Sequence, residues 1–214
     1  MRAVWDALAA AETEVYVGDP GRGREELAAL FGRLSADPRG GVCVEIGCGP
    51  GRMTGALAAR FDRVVAVDVS PAMIARARAE VTAPNVEFRE VSGERLDGVG
   101  DACADVAVCY LVLQHLPSRR LVCSYVLELG RVLRPGGEAF VQLPVLDAGV
   151  VPRLWRALRT PAARVSRPEL RGSRVTRHEL DRALGDAGLT VVATDVGPDS
   201  PYRFSTDLFL RLRR

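Results

Sequence analysis

The stretch VCVEIGCGPGR, residues 42–52, decides how this chain folds. A short apolar run interrupted by one acid, Glu45, is followed by Gly47, Gly49 and Gly51 and then by a helix-like segment. An apolar run of this length bounded by glycine reads as a buried strand. Glycines tolerate backbone angles that other residues resist, and they lack the Cβ that would hold a ligand away from the main chain. The pattern predicts a strand turning sharply into a helix, with a corner shaped to lie against a flat or extended ligand. Its spacing is GxGxG, not the GxGxxG that seats a pyrophosphate, so the nicotinamide and flavin readings are weakened.

Working outward, RVVAVD (63–68) is a second buried strand that ends in a carboxylate, Asp68. Ser70 and Pro71 then supply an N-cap and a first-turn proline for a helix running to about residue 80. In a parallel sheet the second strand lies beside the first, which brings Asp68 to the same edge as the glycine corner. A carboxylate there can take both hydroxyls of a ribose. Corner and acid together imply a ligand containing a nucleoside, with no requirement for phosphate.

Three further stretches, NVEF (85–88), DVAVCYLVLQHLP (105–117) and RVLRPGGEAFVQLP (131–144), extend the pattern. With VEIGCGPGR (44–52) and VVAVDVSPAMIARAR (64–78), the chain from about 42 to 143 resembles the class I S-adenosylmethionine-dependent methyltransferases. The resemblance implies an α/β fold: a Rossmann-like seven-stranded sheet in the order 3-2-1-4-5-7-6, the last strand antiparallel, with helices on both faces. S-adenosylmethionine is the implied cofactor. Its methionine end would meet Glu45 and the backbone of Gly47, Cys48 and Gly49, its ribose Asp68, and its adenine Val69 and Met73. The main chain of Tyr110 would hold the amino group. After the third strand the family usually places an acid near the adenine amine; this chain has Ser92 there and Gly93 next, a departure that predicts adenine contacts with less electrostatic help.

Composition sets bounds. At 214 residues and 48% hydrophobic, the chain is expected to be a single domain with a sizeable core. No apolar run of about 18 residues and no basic-then-apolar start is seen, so no membrane span or secretory signal is expected, and the reading is cytoplasmic. All 29 basic residues are arginine, which excludes Schiff-base chemistry on a lysine and the lysine-bearing phosphate loop. A net charge of +2 is too small to argue for a nucleic-acid partner by itself. The five cysteines form no CxxC pair and there are two histidines, so zinc-ligand spacing is absent and no metal is expected.

Residues 1–40 read as a helical cap. Residues 2–16 carry Trp5 and Tyr16 at roughly helical spacing, and 24–34 form a second helix with Leu27, Leu30, Phe31 and Leu34 on one face. Trp5 and Tyr16 either pack on the domain or, as the resemblance implies, line the acceptor site. Beyond the fourth strand (105–110) stands His115, which either orients its loop or acts as a general base toward a hydroxyl acceptor. Gln142 lies near the C-terminal edge of the fifth strand (138–143), where it can contact an acceptor. Residues 145–175 hold arginines at 153, 156, 159, 164, 167, 171 and 174 and read as a lid, as a substrate insertion for a phosphorylated or carboxylated acceptor or RNA, or as a solvated face. The function this points to is methyl transfer to an oxygen or nitrogen of a small-molecule acceptor. An RNA- or protein-modifying enzyme and a non-catalytic S-adenosylmethionine binder are the alternatives.

Overall fold

Residues 2–10, 20–146, 172–197 and 205–214 are described by the structure, a computed structural model. Tyr16 and most of the arginine-rich segment lie outside them. Seven strands form one sheet: β1 (Val42–Ile46), β2 (Arg63–Asp68), β3 (Val86–Glu90), β4 (Ala104–Cys109), β5 (Leu133–Leu146), β6 (Thr190–Val196) and β7 (Ser205–Arg213). Their order is β3-β2-β1-β4-β5-β7-β6. β1 through β5 pair in parallel, and β7 runs antiparallel to both β5 and β6. The expected order and direction of every strand are found.

Among the described residues the α-helices are α1 (Arg2–Ala10), α2 (Gly23–Arg33), α3 (Thr54–Ala58), α4 (Pro71–Glu80), α5 (Arg119–Val132) and α6 (Arg177–Asp186). Their starts follow from local chemistry: the Ser70 side chain accepts from the Met73 N–H, Ser118 from Leu121, and Thr176 and Glu179 form a reciprocal capping box. β1 and β2 are buried along almost their whole length, as near-continuous apolar runs in a parallel sheet must be when helices cover both faces. On one face α5 and α6 pack over Val44, Val65 and Ala107; on the other α2 and α3 pack over Cys43, Val64 and Val106.

Two boundaries differ from expectation. The segment after Gly51 reads in sequence as a helix near 52–60, but α3 covers only five residues, because Arg60 and Phe61 both donate to the Leu57 carbonyl and turn the chain back toward β2. LRPGG at 133–137 reads in sequence as a helix stop joined to a turn; in the structure it instead starts β5. Leu133 pairs with Ala104, the ladder slips, and Glu138 resumes it opposite Val106, so the Pro135–Gly136 turn becomes a bulge inside the strand.

Candidate active site

The glycine corner is held by β2. The N–H groups of Gly47 and Cys48 both donate to the Val67 carbonyl, at 2.8 and 3.0 Å. Asp68 completes the hold: its Oδ2 accepts from the Gly49 N–H and its Oδ1 from the Ser70 N–H, each at 2.9 Å. Gly47 sits at φ 71°, and a Cβ there would overlap the Val112 side chain. Around a Cβ built on Gly49 there is open space. The corner is therefore closed behind Gly47 and open in front of Gly49.

A cavity of about 360 Å³ crosses the tips of β3, β2, β1 and β4 in that order, within the range of small-molecule sites. Val91 contributes from the end of β3; Val67, Asp68, Val69 and Met73 from β2 and α4; Gly47, Cys48 and Gly49 from the corner; Tyr110, Leu111, Val112 and His115 beyond β4. Trp5 on α1 also lines it, with its ring edge-on to His115 at 5.2 Å between centroids. α1 is fastened over α4 by Leu8 and Ala9 against Met73, by the Ser70 hydroxyl donating to Asp6, and by Arg2 paired with Glu90 at 2.8 Å.

Of the sequence-derived candidates, the structure brings Gly47, Cys48, Gly49, Asp68, Val69, Met73, Tyr110, His115 and Trp5 to one cavity. Glu45, Gln142, Ser92 and Gly93 do not line it. Glu45 is buried beneath the corner, where its Oε2 accepts from the Thr54 hydroxyl at 2.6 Å. Gln142 is buried beneath the fourth-strand loop, and its Oε1 accepts from the Leu111 N–H at 3.2 Å. Leu111 itself stands at φ 59°, a conformation disfavoured for leucine, so Gln142 supports a strained turn at the cavity wall. Ser92 is exposed, its N–H donating to Asp97 Oδ2 at 2.8 Å and its Oγ accepting from the Glu94 N–H.

Sequence reading missed Tyr125 of α5, the Glu26–Arg52 ion pair, and Gln114. In sequence Tyr125 reads as one of an apolar helix face with Leu121, Val122, Val126 and Leu129. No local signal couples Glu26 to Arg52; the pairing arises because α2 abuts the corner so tightly that a Cβ on Gly23 would overlap the Arg52 carbonyl. Gln114 stands beside His115, with Nε2 to Nε2 at 3.1 Å. An amide nitrogen only donates, so the imidazole Nε2 accepts this bond.

Burial shifts the acids upward. The Glu45 carboxyl is pushed up to about 8 by loss of solvent, with the Thr54 hydrogen bond opposing and the Asp68 charge adding to the rise. Asp68 is also raised by burial, against the opposing pull of the N–H groups of Ser70, Gly49 and Val69. Burial keeps the Cys48 sulfur as a thiol. Between the usual glutamate value of 4.5 and about 8, the folded chain holds a proton at Glu45 that the unfolded chain has released. Stability must fall as pH rises across that window and level off above it. We expect the melting temperature of the parent chain to drop between pH 5 and 8 by more than that of Glu45→Gln, reflecting a stability difference on the order of a few kcal/mol. Parallel melting curves for the two chains would overturn the assignment.

A seven-stranded sheet in this order, with a glycine corner and a carboxylate at neighbouring strand tips, defines a nucleoside-binding α/β enzyme. A family profile described as a methyltransferase domain matches residues 44–141. The chain is 30% identical over 184 residues to a ubiquinone biosynthesis O-methyltransferase from Mesorhizobium japonicum, covering 79% of this chain and 69% of that one. It is 34% identical over 134 residues to a trans-aconitate 2-methyltransferase from Methylobacterium radiotolerans, covering 61% of this chain. That match spans 48% of the relative, so the chain spans about half the length of such relatives. Among solved structures, a putative methyltransferase from Bacillus halodurans superposes with a TM-score of 0.66 at 15% identity, covering 88% of this chain and 98% of that one. The magnesium protoporphyrin IX methyltransferase of Synechocystis, solved with bound SAH, gives 0.62 at 18% identity, covering 89% and 83%. The chain belongs to the class I S-adenosylmethionine-dependent methyltransferases.

Among the described residues, no group of three or more His, Cys, Asp or Glu side chains is placed to hold a metal ion, and no helix is long and apolar enough to cross a membrane.

Proposed function

We propose that this chain moves the methyl group of S-adenosylmethionine to an oxygen or nitrogen of a small-molecule acceptor. The observation that carries the reading is the roof: Trp5 of α1 meets His115 over the cavity, a covered site that suits a small acceptor better than a polymer. The two described ends of the arginine-rich segment stand at the same wall. Leu146 donates to the Val175 carbonyl, and Gly172 and Ser173 donate to the carbonyls of Gln114 and Leu116. The relatives named for trans-aconitate and for ubiquinone biosynthesis agree with this acceptor class.

The residues present fit the cofactor. Each Asp68 oxygen accepts one N–H and keeps a lone pair for a ribose hydroxyl. Val69 and Met73 offer an apolar wall to the purine, and the open space before Gly49 admits the chain leading to sulfur. Glu45, beneath the corner, and the main chain of Tyr110 are assigned to the amino-acid end. Ser92 and Gly93, off the cavity, are left without direct contact. When bound, S-adenosylmethionine supplies an electrophilic methyl carbon on a sulfonium centre. The protein's part is to fix the acceptor in line with that carbon and to exclude water.

His115 is assigned the acceptor's proton. To hand it over, an acceptor hydroxyl must replace Gln114 at Nε2. The test is formation of S-adenosylhomocysteine over a panel of phenols, organic acids and amines. Turnover is expected with at least one of them, and His115→Gln should lower kcat by about 10²-fold with cofactor affinity unchanged. Turnover confined to RNA or protein, or binding without turnover, would overturn the small-molecule reading.

A further inference from the structure

We infer that the Tyr125 hydroxyl is the group that reads the six-position amine of the cofactor's purine, in place of the acid usual after the third strand. This rests on the reading that the cavity binds S-adenosylmethionine. Tyr125 is 4% exposed, and it lines the cavity. No hydrogen bond to its hydroxyl is formed among the described residues. With no protein partner among the described residues and its oxygen not sealed from the cavity, the hydroxyl is available to bond a ligand there.

Its position is set by two ties between α5 and the turn after β3. Ser124 Oγ donates to the Glu94 carbonyl at 3.4 Å, and Glu128 Oε2 accepts from the Leu96 N–H at 2.8 Å. Residues three apart share a helix face, so Tyr125 points the same way as Glu128, toward that turn and the end of β3. There it packs in one core cluster with Val91 and Leu116, both of which also line the cavity. This is the purine side of a ligand whose ribose lies on Asp68, since β3 follows β2 in the sheet.

The turn itself offers no competing side chain. Ser92 is spent on Glu94 and Asp97, and neither Ser92 nor Asp97 lines the cavity. Burial, with smaller contributions from Cys109 and Asp68, raises the Tyr125 phenol well above its ordinary value, so it stays protonated and both donates and accepts. An amine at the six position donates to its oxygen, a bond that a purine lacking the amine cannot form.

Calorimetric titration of the full chain with S-adenosylhomocysteine, and with its analogue carrying hydrogen in place of the six-amine, tests this. Tyr125→Phe removes a hydroxyl with no protein partner, so the melting temperature should be unchanged. It should weaken S-adenosylhomocysteine roughly five- to thirtyfold and the six-hydrogen (desamino) analogue less than twofold. Equal loss for both ligands, or no loss for either, would overturn the assignment. A loss that vanishes only with a 7-deaza analogue would overturn it too, by moving the contact to another edge of the ring. Failure of the parent chain to bind S-adenosylhomocysteine at all would instead remove the cofactor reading, and the inference with it.

Discussion

Asp68→Ala is expected to weaken S-adenosylhomocysteine binding by roughly 10²- to 10⁴-fold, the combined loss of two hydrogen bonds to a charged acceptor. The structure makes the effect larger than a ribose contact alone would predict. The same carboxylate receives the N–H groups of Gly49 and Ser70, so its removal leaves two backbone donors at the cavity unsatisfied and loosens a corner then held to β2 by the Gly47 and Cys48 bonds to Val67. Asp68→Asn separates the two roles. The amide keeps one acceptor oxygen and the side chain's shape, so the melting temperature should stay closer to the parent while affinity still falls. Undiminished binding by Asp68→Ala, measured by calorimetry, would remove Asp68 from the site.

Gly47→Ala is expected to cost both stability and binding. At φ 71° an alanine is disfavoured by about 1–2 kcal/mol. Its Cβ would also overlap Val112, an overpacking that typically costs about 1–3 kcal/mol. Together these lower the melting temperature by roughly 4–20 °C for a chain of this size. Val112 lines the cavity, so a shift there displaces the wall as well as the corner. The double variant Gly47→Ala with Val112→Ala should recover the overpacking share and not the backbone share. Full additivity of the two substitutions would show that the overlap is relieved elsewhere.

The fold was legible because its determinants are local. Apolar runs, glycines, capping residues and a carboxylate at a strand end each report on a few neighbouring positions, and the parallel topology then brings Asp68 beside the corner without further information. What stayed hidden depends on packing between distant segments. Glu26 meets Arg52 only because α2 abuts the corner, and Gln142 turns to the Leu111 amide only because β5 lies beside β4. Tyr125 was read by its apolar period, which sees the ring and is blind to the hydroxyl. Ser92 was placed at the adenine edge by alignment of motifs; Asp97, five residues on, takes its N–H and holds that turn outside the cavity.

α1 rests on the domain through a small apolar contact, Leu8 and Ala9 on Met73, reinforced by Arg2 with Glu90, Asp6 with Ser70, and Arg76 with the Ala9 carbonyl. Several of these ties involve charged groups, and the Arg2–Glu90 pair is nearly half exposed, at 47% and 43%, so dissolved salt weakens it directly. The helix that shelters the chamber is therefore attached by bonds the medium can loosen. Raising the ionic strength is therefore expected to weaken the hold of this helix on the domain while the hydrogen bonds of Asp68 at the glycine corner stay in place.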